Sequence, residues 1–325
     1  MAFLLRRLGF YLAAFVVAAT INFILPRMMP GNPVDIMFSE ANSTLPPEAR
    51  AALIQTFGFA TGPLHEQFFQ YLKSVFIFDL GLSLRFYPLQ VSQVLAQAAG
   101  WTLFLVGVSA ILSFVIGSML GVVAAWNRGG KFDSIVSPTA LAIQSIPAVV
   151  ISLLLLFAFG TTLAWLPSSY AYHPSLDPGF NLQYIGSVLY HAVMPVVSLT
   201  FVSLGGYLIN MRNNMIGQLG EDHVVMGTAK GLSSRRVRYN YAARNALLPS
   251  VTSFSLSLGA VMGGSLVTEI VFNYPGLGNT LYLAIVARDY PLIQGQLLIM
   301  TGAMLVANFM MDLAYVYLDP RMRRA

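Results

Sequence analysis

Six long apolar runs constrain this chain more than any other feature. A membrane-crossing helix needs about 20 mostly apolar residues. Runs of that kind extend from Leu8 to Leu25, Trp101 to Trp126, Ile135 to Leu166, Ala192 to Met211, Val251 to Phe272 and Leu292 to Leu318. Composition agrees: the 325 residues are 56% hydrophobic and only 10% charged. A soluble domain carries roughly 25% charged residues, so lipid must serve as part of this chain's solvent. The expected fold class is an all-α integral membrane protein with six transmembrane helices. The first run lacks a small-residue cleavage site and is read as a retained helix rather than a signal peptide. The third run is long and contains Pro138 and Pro147.

Between the first two runs lies a polar segment, Met28 to Gly100, with Pro30, Pro33, Pro46, Pro47 and Pro63. It includes an amphipathic stretch around Gln67 to Phe78 and is too long for a turn. A small domain against one membrane face is expected there. Lys and Arg concentrate in cytoplasmic segments. With the N-terminus inside, only Arg27, Arg50, Lys73, Arg85 and Arg288 of the 18 basic residues fall outside. Both termini are then cytoplasmic, and Met28–Gly100 is extracytoplasmic. The expected domains are 1–99, the first helix with its outer segment; 100–318, a five-helix core with an inner loop at 212–249; and 319–325, a cytoplasmic tail.

Small residues four apart let helix backbones approach closely. Gly117 with Gly121 and Gly259 with Gly263 have this spacing. Packing within one subunit is the leading expectation, with a subunit contact or a pore lining as alternatives. Glu269 and Asp312 lie near the ends of helical runs, where a wetted or paired structural role is expected. Asp133 reads as a solvated charge near Arg128 and Lys131.

The inner loop between the fourth and fifth runs is the most informative segment. Glu221 and Asp222 open it and suit a helix N-terminus, while Gly231 suits a helix end. Gly227, Ala229, Lys230 and Leu232 lie between or beside these, and Arg235, Arg236 and Arg238 follow. A short exposed helix with small residues can dock into a groove of another protein. A solvated loop obeying the charge rule is the competing view.

This loop resembles the coupling segment of type I ABC importer permeases, in the branch that imports peptides. That pattern is approximately Glu-Asp-Tyr-Val-Arg-Thr-Ala-Arg-Ala-Lys-Gly-Leu, then basic residues and Arg-Asn-Ala-Leu-Leu-Pro. The chain matches it at Glu221, Asp222, Val224, Ala229 to Leu232, and Arg244 to Pro249, and departs at His223, Val225, Met226, Gly227 and Thr228. Further matches follow in order: Pro30-Gly31-Asn32-Pro33, Asp79 to Ser83, Trp165-Leu166-Pro167, Phe272 to Gly278, Arg288 to Gly295, and Asp319-Pro320-Arg321. Together they resemble the B-type subunit of dipeptide and oligopeptide importers.

The resemblance implies a type I permease fold in a bacterial inner membrane. Its implied partners are a homologous C-type permease, cytoplasmic ABC ATPases and an extracytoplasmic substrate-binding protein, with no nucleic acid. It implies ATPase coupling at Glu221, Asp222, Gly227, Ala229, Lys230, Gly231, Leu232, Arg235 and Arg236. Met28–Gly100 and the loop Ser168–Tyr190 are the expected contacts for the binding protein. Tyr274, Pro275, Gly276, Arg288 and Asp289 are candidates for the external mouth or a binding-protein contact. Since Pro and Gly make tight reversals, Tyr274 to Gly278 is equally well read as a plain connection. Peptides are the expected cargo, with nickel chelates and oligosaccharides as alternatives.

The sequence contains no Gly-x-x-x-x-Gly-Lys-Ser/Thr phosphate loop, so ATP hydrolysis falls to partners. No catalytic residue, metal site or cofactor is expected. His65, His173, His191 and His223 have no metal-ligand spacing and read as loop or interface residues. A secondary transporter would need internal repeats and ionisable residues at mid-membrane, and a membrane-embedded enzyme would need a catalytic constellation. The sequence offers neither.

Overall fold

The computed structural model describes residues 2–28, 63–259 and 266–318. The motifs at Pro30–Pro33 and Asp319–Arg321, the tail 319–325 and residues 29–62 of the Met28–Gly100 segment lie outside them. The chain divides into two compact units, Met1–Trp101 with Gly276–Ala325, and Thr102–Pro275.

In the first unit, α1 (Ala2–Arg27) packs along α11 (Tyr290–Leu318), and α2 (Leu64–Phe76) lies on α1. Ala19, Val75 and Leu298 form the buried contact, with Phe15, Tyr71 and Leu72 around it. Asn22 Nδ2 donates to the Gln294 carbonyl at 2.7 Å, a polar tie between two apolar helices. The amphipathic stretch expected around Gln67 is thus α2, with Tyr71, Leu72 and Val75 on its packed face. α10 (Leu277–Val286) also lies against α11, where Gln296 Nε2 donates to the Leu277 carbonyl.

α3 runs from Val91 to Trp126, starting ten residues before the expected Trp101. Polar Ser92, Gln93 and Gln97 hide this first stretch from a hydropathy window. Val91, Val94, Leu95 and Ala98 are nevertheless buried, a helical spacing that gives it an apolar face.

In the second unit, α4 (Lys131–Gln144) meets α5 (Ala148–Leu155) at a bend of 98°. α5 continues as a π-helical segment, Leu156–Thr162. Of the two prolines in this run, only Pro147 interrupts the helix. It disfavours a helical Ile146 before it, whereas Pro138 sits inside continuous α4. α6 (Leu182–Leu219) follows, then the short α7 (Asp222–Ala229), a π-helical segment Val237–Ala243, α8 (Arg244–Gly259) and α9 (Leu266–Val271).

Among the described residues, four helices are long and apolar enough to cross a membrane, or five if the bent α4–α5 pair counts as one span. Of the expected fifth run, α8 reaches Gly259 and α9 begins at Leu266; residues 260–265 lie outside the description. The all-α membrane fold stands, while a count of six spans does not follow from these helices.

α6 is the axis of this unit. A Cβ on Gly117 would sit 2.8 Å from the Leu204 carbonyl oxygen, and one on Gly121 would sit 2.5 Å from that of Leu208. From the other side, a Cβ on Gly205 would reach 2.5 Å from the Ala140 oxygen. Real side-chain carbons do not approach so closely, so α3 and α4 both touch α6 by backbone. The Gly117–Gly121 pair therefore packs within this chain. The Gly259–Gly263 pair runs out of the described residues.

Asp133 overturns its expectation as a solvated charge. It is 5% exposed, and Arg212 clamps it through Nε at 2.6 Å and Nη2 at 2.7 Å. Ser137 Oγ and the Gly129 amide complete its shell at 2.8 and 3.0 Å. The pair joins the start of α4 to α6, across a separation that sequence proximity to Arg128 and Lys131 does not reveal. Glu269 is fully buried and accepts from Thr102 Oγ1 at 2.9 Å, a paired structural role. The side chain of Asp312 lies outside the description. His191, expected in a loop or interface, is buried within α6, its Nδ1 2.8 Å from the Ser187 carbonyl oxygen.

Removing one partner of a buried ion pair costs about 3–5 kcal/mol. Asp133→Asn or Arg212→Gln should therefore lower the thermal midpoint of the purified chain markedly. A paired Asp133→Leu/Arg212→Leu variant should recover part of that loss. Thermal unfolding of the three variants in detergent checks this.

Candidate functional site

The segment after α6 forms a built platform. Glu221 stands at the N-cap of α7 and Asp222 in its first turn, where a carboxylate suits the helix dipole. At its other end Gly231 has φ +72°. The Gly231 amide bonds the Thr228 carbonyl at 2.9 Å, and the Leu232 amide bonds Gly227 at 3.3 Å. This 5→2 and 6→1 pair is the Schellman ending, and half-buried Leu232 supplies its apolar contact. The expected helix end at Gly231 is thus observed in backbone terms, at a φ where a side chain is strained.

α7 is seated by its buried face. Val224 enters a cluster with Val122 and Ala125 of α3, Met211 and Met215 of α6, Val237, Ala242 and Ala243 of the second π segment, and Ala246 of α8. Gly227 lies under Tyr241, whose Cδ1 would be 3.5 Å from an added Cβ. Asn245 Nδ2 donates to His223 Nε2 at 2.9 Å, tying α7 to the first turn of α8. A cavity of about 450 Å³ opens beside this tie, between His223, Asn240, Tyr241, Arg244, Asn245 and Leu248.

The opposite face of α7 is open. Val225 and Met226 are 56% and 54% exposed, and Glu221, Asp222, Ala229, Lys230 and Gly231 are exposed around them. Arg235 and Arg236 lie exposed on the next helical turn, Ser234–Arg236. Arg238 behaves differently. Its guanidinium lies 4.9 Å from the Trp126 ring centroid and 5.8 Å from that of Tyr239, a cation–π seat that holds the basic turn against the end of α3.

Of the sequence candidates, Gly227 and Leu232 therefore face inward, and the other seven coupling residues face outward. Sequence reasoning missed Val224, His223, Tyr241 and Asn245 as seat residues. Val224 carried a signal, an apolar residue one turn from Thr228 on a short helix. The contacts across to Tyr241 and Asn245 carried none.

The outer candidates fall into both units. Tyr274 is fully buried and Pro275 exposed in the second; Gly276 is buried, Arg288 half-buried and Asp289 fully buried in the first. Burial, and then the charge of Glu269, hold the Tyr274 phenol above its ordinary pKa. Asp289 caps α11, its Oδ1 accepting from the Leu292 amide at 3.1 Å. Its Oδ2 accepts from Ser83 Oγ at 2.5 Å and from the Arg85 amide at 3.0 Å. Burial pushes this carboxyl upward in pKa, and those hydrogen bonds pull it back. The Asp79–Ser83 motif is thus pinned to the Arg288–Asp289 motif. Gly81 has φ +77° there, and its segment pairs back through Ser83 N–Leu89 O and Val91 N–Gly81 O, each 3.0 Å.

Long apolar helices carrying a short, exposed helix on a hydrophobic seat fit a membrane permease subunit. Residues 117–324 match the family of the binding-protein-dependent transport system inner membrane component. The chain belongs to this family, the membrane permease components of ABC transporters, in which separate ATPase subunits hydrolyse ATP. It is 32% identical over 346 residues to the di/tripeptide transport system permease protein DppB of Pseudomonas aeruginosa, covering 99% of both chains. It is 31% identical over 338 residues to the dipeptide transport system permease protein DppB of Escherichia coli, covering 99% of this chain and 98% of the other. A probable peptide ABC transporter permease, y4tP of Sinorhizobium fredii, is 31% identical over 321 residues, with 99% of each covered.

Losing the Asp289 carboxylate removes a helix cap, about 1 kcal/mol, and two further bonds to residues 83–85. Asp289→Ala should leave the chain inserted but expose the Ser83–Leu89 segment. Limited proteolysis in that segment should speed up several-fold relative to the parent.

Proposed function

We propose that the chain is the B-type permease of an ATP-driven peptide importer in a bacterial inner membrane. It would line one translocation path with a homologous C-type permease. ATPase subunits would bind from the cytoplasm, and a substrate-binding protein would deliver cargo from outside. The open face of α7 carries this proposal. Val225 and Met226 present apolar surface on a helix whose other face is keyed to α3, α6 and α8 through Val224. A nucleotide-driven closure that displaces α7 is passed to three helices through one packed cluster. Such a displacement biases the bundle between two arrangements. Arg235 and Arg236 extend the gripped surface, and both termini lie in the cytoplasm with it.

Peptide cargo is supported by relatives named for di- and tripeptide transport along nearly their whole length. At the outer surface, Met28–Gly100, the segment Ser168–Tyr190, which from Leu182 onward is the start of α6 rather than loop, and the exposed Pro275 and half-buried Arg288 would meet the binding protein. Tyr274, Gly276 and Asp289 would shape the mouth by holding backbone rather than by direct contact.

Val225→Asp/Met226→Asp on the open face should abolish peptide uptake, and with it substrate-stimulated ATP hydrolysis by the assembled complex, while the chain still inserts. Arg235→Glu/Arg236→Glu should weaken both. Normal uptake and ATPase in these variants would refute the coupling role. Competing uptake of labelled dipeptides, nickel chelates and oligosaccharides tests the cargo, and preference for a non-peptide would refute that part alone. The purified chain by itself should hydrolyse no ATP.

A further inference from the structure

The connection between α5 and α6 carries large apolar side chains that stand exposed among the described residues. Phe180 is fully exposed, Leu182 is 89% exposed and Trp165 is 63% exposed. They do not hang on a loose loop. Asn181 caps α6, its Oδ1 accepting from the Tyr184 amide at 2.7 Å. The Tyr190 hydroxyl donates to the Trp165 carbonyl, and the Tyr170 amide donates to that of Phe272 at 3.1 Å. Tyr172 and Tyr184 meet edge to face, with centroids 5.0 Å apart.

Two observations name the surrounding medium. The connection joins α6, which is apolar and long enough to cross a membrane, to the bent α4–α5 pair, which meets the same test as one span; a link between two such spans belongs at a bilayer surface. The exposed side chains also continue helical stripes. On α6, Leu182, Ile185, Leu189 and Val193 are exposed at spacings of three, four and four. That is one face of a helix, and Phe180 stands at its head. On the α5 side, exposed Leu154 and Phe157 lead along the π-helical segment to Leu163 and Trp165. A water-facing connection would carry charge, but between Leu163 and Asn181 the only acidic or basic side chain other than His173 is Asp177.

We propose that Trp165, Phe180 and Leu182 form an interfacial anchor, seated at the boundary between lipid headgroups and acyl chains. Aromatic rings favour that depth, where an apolar body meets hydrocarbon and a polar edge meets water. The exposed polar residues His173, Ser175 and Asp177 stay in water and remain available to a soluble partner. The binding-protein contact proposed for Ser168–Tyr190 then narrows to the middle of that segment, with lipid holding Phe180 and Leu182 at its edge.

The chain has no cysteine, so Phe180→Cys, Leu182→Cys and Asp177→Cys each accept a single nitroxide without background. The full-length chain, with the partners that copurify, is placed in lipid nanodiscs. Accessibility to oxygen, which concentrates in acyl chains, is compared with accessibility to a water-soluble nickel chelate by power saturation. Labels at 180 and 182 should favour oxygen several-fold, and the label at 177 should favour nickel. Nickel access at 180 and 182 would place this edge in water, as a binding-protein surface requires. Access to neither reagent would place it against another protein, such as a second permease. Either result overturns the anchor.

Discussion

Three missing methyl groups decide where everything in the second unit goes. At Gly117, Gly121 and Gly205, α6 is in backbone contact with α3 on one side and α4 on the other. Lipid gives no hydrophobic push between helices, so close contact and polar ties must hold them together. The close fit provides the first. Arg212 with Asp133, and Asn214 with Ser250 of α8 at 3.1 Å, provide the second. Because α6 is fixed in depth and rotation, Met211 and Met215 form a floor at one end. The short helix that follows has a defined place to sit.

Much of this was legible in the sequence where one physical property dominated. Apolar length marked the helices as membrane segments, though not their number, and the Gly117–Gly121 spacing marked a close helix contact within the chain without naming the partner helix. Proline content and hydropathy alone did not settle particular places. The presence of Pro138 and Pro147 does not say which ends a helix; Pro138 sits inside α4, and Pro147 stands at the break before α5. The first ten residues of α3 are helical because one face is buried by neighbours, which a window average cannot see. The Asp133 partner lies 79 positions away, so local charge gave the wrong one.

The coupling segment was legible through its flanks, and its departures from the familiar pattern sort by position. Val225, Met226 and Thr228 all lie on the exposed face, whereas matching Val224 is the buried key. The seat is kept, and the face offered to a partner is what differs. Gly227 and His223 are the exceptions: Gly227 departs from the pattern on the buried side beneath Tyr241, and His223 departs in the tie to Asn245. At the other unit, two short motifs with no apparent relation in sequence turned out to share one carboxylate, Asp289.

The stretch Val237–Ala243 joins the α7 platform to α8 in wider turns than an α-helix has. Such a stretch holds surplus chain. A shift of its hydrogen bonds by one residue would turn the rod beyond it by about 100°. That turn would cost the Asn245–His223 and Asn214–Ser250 ties, which hold α8 in its present rotation.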